Sequence, residues 1–458
     1  MTQPDPPLSP MWWLTRLYER LQRQAKTFDW YDAYYRGKPP NLPWLPEQAR
    51  DEFHRLLALT KANYMGLVVD SMVERMQIEG FRIGDDPGAD ATTWAIWQAN
   101  NMDAVSDQVL LESAIGGTAC LLVAPNPGRP DRPLIYGEHP TQAIVEYEPG
   151  TGGRVRAAGL KVWADDWTGD LMATVYRPDG LYKFRAPKPT SGGVVKPRWE
   201  RREVRGESWP APNPLGEVPL IEVPNNPRML GGGVSEIADV VEVQDRICKT
   251  LADRLMTQDY GAFPQKWAKG FPDTDAEGNP NRIDIGRNRI VTSDAAETAF
   301  GQWDAAPLDP YSAAKREDVK DIASRTRTPA QYLLGEMSNV NGETLKASES
   351  GLVSKVRQRT RTAGEGIEDV VLLVRRAAGL AGPDEQVETI WRNPEFRTEG
   401  ELVDALTKMA TLGVPQEALW EKWGASQEEI ARWKGMRVEQ TDIDPFGAIT
   451  RAAGQVGE

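Results

Sequence analysis

The amino-acid sequence predicts an α+β fold divided into several structural units, and three observations carry that prediction. The chain has 458 residues, 40% of them hydrophobic and 26% charged, a globular composition in a chain too long for one ordinary core. Between residues 118 and 225, short apolar runs alternate with Gly, Pro and Asp turns, the pattern of antiparallel strands. On either side of that stretch the apolar residues recur at helical spacing over long segments.

Residues 1–10 are Pro-rich and read as disordered. Residues 11–35 read as an aromatic-rich helix carrying Trp12, Trp13, Leu17, Leu21, Trp30, Tyr31, Tyr34 and Tyr35. Gly37 and the Pro39-Pro40 pair end it, because neither continues a helix. After a Pro-rich connector to Pro46, residues 47–77 read as helix, with Leu67, Val68, Ser71, Met72 and Met76 in one stripe and an end near Gly80. A third helix is predicted over 90–115, through Trp94, Trp97, Val105, Val109 and Leu110, and Gly116-Gly117 terminates it.

Strands are predicted at Ala119–Val123, Ala143–Val145, Ala158–Val162, Met172–Tyr176, Tyr182–Phe184 and Val218–Val223, with 185–215 a long exposed loop. Gly231-Gly232-Gly233 reads as a hinge, after which Ser235 caps a helix running to near Gly261 on Ile237, Val241, Val243, Ile247, Leu251 and Leu255. Residues 262–308 are turn-rich, with a short strand at Arg289–Val291. Asp309-Pro310 opens a helix to Arg327, Thr328-Pro329 breaks it, and a glycine-containing polar loop is predicted to Asn341. A long helix then lasts to about Ala378, with Leu345, Leu352, Val356, Ile367, Val371 and Val374 facing inward. A strand at Val387–Trp391 precedes short helices through Leu402, Leu406 and Met409, through Ala418–Trp423, and behind a capping box at Ser426–Glu429 that leads to Ile430 and Trp433. From about residue 440 the end is read as frayed.

Several chemistries are disfavoured. No run of apolar residues is long enough to cross a membrane as a helix, and the N-terminus lacks the basic-then-apolar order of a secretory signal. The two cysteines, Cys120 and Cys248, sit in apolar stretches and read as buried small hydrophobes. His54 and His139 are the only histidines, which removes most zinc hydrolases and most catalytic triads. No phosphate-binding glycine motif and no nucleophile elbow occurs. Asp273, Asp275, Glu277 and Asp284 partly match a calcium loop, but Pro280 interrupts it and the twelfth position is Asp, so a solvated acidic turn is the better reading. The net charge of −13 argues against tight phosphate binding. Lys355, Arg357, Arg359 and Arg361 are read as salt-bridge partners ahead of DNA-phosphate ligands. Lys315, Arg316, Lys320, Arg325 and Arg327 stand against Glu317, Asp318 and Asp321 as either a channel lining or an ordinary polar helix face.

Certain stretches, in order, resemble a known family. They are Tyr34-Tyr35-Arg36-Gly37; Asn63-Tyr64 through Val69-Asp70 to Gly80-Phe81; Gly216-Glu217-Val218-Pro219 with Asn225-Asn226; Gly233 through Ile237 to Gln244-Asp245; and Thr328-Pro329 through Tyr332 to Gly335, then Asn341-Gly342-Glu343-Thr344-Leu345-Lys346-Ala347. Over residues 30–380 this order is similar to that of portal proteins of long-tailed bacteriophages, the Gp6-like class.

The resemblance implies a portal fold: a wing over 11–232, stem helices at 233–259 and 309–327, a clip at 260–308, a tunnel loop at 328–342, a wing helix at 343–384 and a crown at 385–458. It implies a homo-oligomeric ring, usually of twelve, at one capsid vertex of the virion, built in the host cytoplasm. Double-stranded DNA would pass through it, the terminase large subunit and then a head-tail adaptor would dock on it, and the major capsid and scaffold proteins would surround it. Neither a membrane, a cofactor, a metal nor catalysis is implied. Pro329, Gly335, Ser338, Asn339, Asn341 and Gly342 become the DNA-proximal loop, and deleting Ser338–Asn341 is expected to impair DNA filling. Lys315, Lys320, Arg325, Arg327 and Lys346 become channel-lining candidates. Lys266, Lys269, Asp273, Asp275, Arg282 and Arg287 become clip contacts. Two other readings compete: another virion head or connector subunit, and a Trp-rich carbohydrate-active enzyme working through two carboxylates.

Overall fold

The computed structural model describes residues 6–38, 60, 62–84, 88–188, 197–229, 231–262, 266–270, 274, 297–304, 306–335, 342–380, 382, 385–395, 399–425, 429–430 and 432–437. Helix α1 (Pro10–Tyr35) starts one residue before the sequence pattern, because the Ser9 hydroxyl accepts from the Trp12 amide at 3.3 Å. Its apolar stripe serves two cores. Trp13, Leu14, Leu17 and Leu21 lie on a sheet, and Phe28 and Tyr34 join the main core. Each of the three buried leucines stabilises that docking by about 1.5–3 kcal/mol.

The sheet under α1 is antiparallel and runs in chain order: β4 (Ala143–Tyr147), β5 (Arg156–Ala164), β6 (Leu171–Arg177), β7 (Gly180–Ala186) and β8 (Glu200–Arg201). Alternation turns Ala158, Leu160 and Val162 of β5 and Tyr182 and Phe184 of β7 toward α1. A second sheet places β2 (Thr118–Ala124) between β3 (Leu134–Glu138) and β9 (Leu220–Pro224). Ala119, Leu121 and Val123 of β2 enter the main core. Cys120 and Leu122 enter a small core shared with Ala143, Val145, Val218 and Leu220.

The main core gathers α2 (Met65–Val73), α3 (Ala91–Ala99), α4 (Met102–Gly116), α5 (Val241–Ala262), α6 (Asp309–Thr326), α7 (Ala330–Leu334) and α8 (Gly342–Ala377). Strand β1 (Ile78–Ile83) pairs antiparallel with β12 (Val387–Trp391), and β10 (Lys266–Lys269) pairs with β11 (Ala299–Gln302). Helices α9 (Glu399–Thr411) and α10 (Gln416–Trp423) follow, and residues 432–437 are helical again. Among the described residues no helix is long and apolar enough to cross a membrane.

The α+β class agrees with the sequence reading, and several boundaries move for identifiable reasons. Within 47–77 the described helix is only Met65–Val73. Gly80, read as a helix end, lies inside β1, because it pairs with Ile390 and its neighbour Phe81 with Thr389. The single helix over 90–115 is two: Asn101 takes a left-handed φ of 53°, and the Asn100 side chain donates to the Ile96 and Pro133 carbonyls. The helix expected from Ser235 begins at Val241. Val234 N–H donates to the Asn225 carbonyl and Glu236 N–H to that of Ala114, so those groups are committed before a helix can use them. The 185–215 stretch is not wholly an exposed loop. It adds β8, and Trp209 packs edge-on against Tyr182 and Phe184 while its indole donates to the Lys183 carbonyl. The predicted strand at Arg289–Val291, His54 and the Asp273–Asp284 loop, Thr274 apart, lie outside the described residues.

Candidate functional site

Helices α5 and α6 lie antiparallel. Arg246 donates to Asp318 at 2.7 Å and to Asp321 at 3.0 Å, while eleven residues further along α5 the hydroxyl of Thr257 lies 3.2 Å from that of Tyr311, near the start of α6. Val243, Ile247, Val319 and Ile322 are buried along the seam. The carboxylate of Asp318 holds the Arg246 guanidinium more firmly protonated than usual. At the far end the β10–β11 hairpin presents Trp267, Phe300 and Lys269 to solvent.

The near end of the pair is anchored by a buried charge cluster. Glu236 accepts from Lys355 at 3.1 Å and from Arg359 at 3.0 Å. Arg359 also donates to Asn226, and Lys355 to the Thr326 carbonyl at the end of α6. Burial alone would raise the Glu236 carboxyl, but the two cations outweigh it and hold the group below its ordinary value. Beside the cluster, Gly117 and Gly233 touch backbone to backbone: a Cβ on Gly233 would stand 1.6 Å from the Gly117 carbonyl oxygen. Four of the motif stretches meet here or next to it. Tyr34 donates to Asp245 at 3.0 Å, Tyr35 to Asp70 at 2.9 Å, and Asn63 to the Tyr35 carbonyl at 2.6 Å. Gln244 accepts from the Tyr64 amide and donates to the Ala62 carbonyl. Burial, reinforced by Asp70, pushes the Tyr35 hydroxyl up to about 12.

The expected DNA-proximal residues divide. Pro329 caps α7, and Gly335 closes that helix at a φ of +67°. The segment between them is not a free loop. Leu333 is buried in the main core, Gln331 donates to Ser348 at 2.8 Å, and the Tyr332 hydroxyl donates to Glu349. Gly342 is the first residue of α8, and Ser338, Asn339 and Asn341 lie outside the described residues.

Among the channel-lining candidates, Lys320, Arg325 and Arg327 are exposed on or beside α6, whereas Lys315 is half-buried with its ammonium 6.0 Å from the Tyr64 ring. At about 100° per residue these four do not form one stripe. Lys346 pairs with Glu401 of α9. Of the clip candidates, Lys266 and Lys269 lie on β10, and Asp273, Asp275, Arg282 and Arg287 lie outside the described residues. The basic run on α8 separates by face. Lys355 and Arg359 are buried on Glu236, while Arg357 and Arg361 are exposed and Arg357 pairs with Glu395.

Sequence reading had assigned no role to Glu236, Arg75 or Glu349. One signal was available: Lys355 and Arg359 share the apolar stripe of Leu352 and Val356, and buried cations require a buried carboxylate. Among the described residues no group of three His, Cys, Asp or Glu side chains is placed to hold a metal ion. The stacked pair Trp423 and Trp433 lines a cavity of about 490 Å³ with Val403, Leu406, Leu419 and Trp420, and among the described residues its lining holds no carboxylate.

A helix pair is thus rooted by a buried charge cluster, carries a small two-stranded sheet at its far end and is followed by a 36-residue helix. The model of the phage portal proteins described as SPP1 Gp6-like matches residues 14–442, and the chain belongs to that family. It is similar to the portal protein of Mycobacterium phage D29, 30% identical over 419 residues that cover 84% of this chain and 83% of that one. Similarity to the portal protein of Mycobacterium phage L5 is also 30%, over 425 residues covering 86% and 84%. A solved chain from the neck of an empty GTA particle computed with C6 symmetry aligns at 12% identity and a TM-score of 0.46, over 83% of this chain and 94% of that chain.

Proposed function

We propose that twelve copies of this chain close into a ring at one vertex of the phage head and that double-stranded DNA passes through the ring during packaging and ejection. The chain is a virion connector by family, and the match across residues 14–442 is the observation that carries the reading. In this arrangement α5 and α6 form the stem, the β10–β11 hairpin belongs to the clip, and α8 returns into the wing. The terminase large subunit and later a head-tail adaptor dock at the clip, with capsid and scaffold proteins around the wing. Assembly takes place in the host cytoplasm before the subunit is built into the head.

The chain performs no catalysis in this reading; the packaging ATPase is a separate protein. A net charge of −13 suits a conduit, since an acidic bore repels the DNA backbone. Light scattering on purified protein, with negative-stain images of the same peak, tests the assembly. A mass near twelve subunits with a central hole is expected; a species that stays monomeric under capsid-assembly conditions would overturn it.

A further inference from the structure

Arg75 lies in the turn between α2 and β1, and its guanidinium reaches three separate pieces of the chain. One terminal nitrogen donates to the Pro394 carbonyl at 3.0 Å, in the linker that leads from β12 to α9. The other donates to the Tyr332 hydroxyl of α7 at 2.8 Å, and each lies 3.4 Å from the Glu349 carboxylate of α8. Tyr332 in turn donates to Glu349. Glu349 is buried and Arg75 nearly so, which strengthens each of these bonds relative to a solvated pair. A guanidinium spreads its N–H groups over two terminal nitrogens in one plane, and so reaches Pro394 from one and Tyr332 from the other; an ammonium gathers its three N–H groups on a single nitrogen and does not span the same acceptors.

We propose that Arg75 is a positioning residue that couples the turn after the second stem helix to the linker entering the C-terminal helices. Displacement of α7 then reaches residues 392–395 through one guanidinium. The consequence for DNA passage rests on the portal reading, in which α7 borders the channel and α9 lies on the head side. The coupling itself does not need that reading.

The test is hydrogen exchange on the full-length protein, comparing wild type with Tyr332→Phe and Arg75→Lys. Tyr332→Phe keeps the ring and removes one hydroxyl. Exchange is expected to accelerate about tenfold at 329–335 and also at 392–395, where the Arg392 amide donates to the Gln77 carbonyl. Peptides from β5 and β6 should be unchanged, which separates local release from global unfolding. Arg75→Lys should reproduce the effect at both segments. If Tyr332→Phe accelerates 329–335 while 392–395 stays at the wild-type rate, the coupling is refuted. Ring mass measured on the same samples reports the portal reading separately.

Discussion

Glu236 is where single residues weigh most. It neutralises two cations that the apolar stripe of α8 carries into the core, and no other carboxylate is paired with Lys355 among the described residues. Removing one partner of such a cluster leaves an uncompensated buried charge, so Glu236→Ala should cost about 3–5 kcal/mol. Replacing Glu236, Lys355 and Arg359 together with Leu and Met should cost far less; urea unfolding of both variants measures the difference. The pH dependence has a definite sign. The folded carboxyl sits below its ordinary value of 4.5, so its contribution is complete above that pH and fades as pH falls through the lower folded value. Wild-type melting temperature should therefore drop below about pH 4.5 more steeply than that of Glu236→Gln.

The helix pair α5–α6 illustrates how burial and charge divide along an element. Ile322 is fully buried in the seam, and Lys320 two residues away is exposed and paired with Glu317. Truncating Ile322 to Ala should lose about 2–4 kcal/mol through lost contacts and the cavity left behind. Lys320→Ala should stay within about 0.5 kcal/mol, because an exposed pair is weakened by solvent and salt. Equal losses in the two variants, read by thermal unfolding, would mean that burying Ile322 contributes no more than an exposed ion pair within α6. Within α7 the same logic corrects an expectation: a segment read as an adaptable loop from its Pro and Gly is held by the buried Leu333.

At the scale of the whole molecule, charge and assembly point the same way. A chain with 54 basic and 67 acidic residues offers DNA few net counterions to release. Its affinity for a short random duplex at physiological salt should be weaker than about 10⁻⁴ M, the weak end of ordinary nonspecific binding. Fluorescence anisotropy of a labelled duplex measures it, and micromolar binding would show a concentrated basic surface that the net charge conceals.

Much of the element plan and the family could be read in the sequence, because periodicity and turn residues are local properties. The long helix through Leu352 and Val374, the two helices α5 and α6 and the strands near 120, 160 and 175 needed no tertiary information. Neither did the ordered stretches that carry the likeness to portal proteins. What the sequence could not decide is which distant residues share a contact. That Glu236 answers Lys355 and Arg359, that Gly117 needs a glycine at 233, and that Tyr34 belongs with Asp245 depend on a chain crossing itself after a hundred residues or more, and Tyr35 finds Asp70 only after 35. The helix that waits until Val241 and the turn that becomes α7 have the same cause. Long-range hydrogen bonds and core burial claimed those backbone groups before local propensity could, and only the folded chain brings the partners within reach.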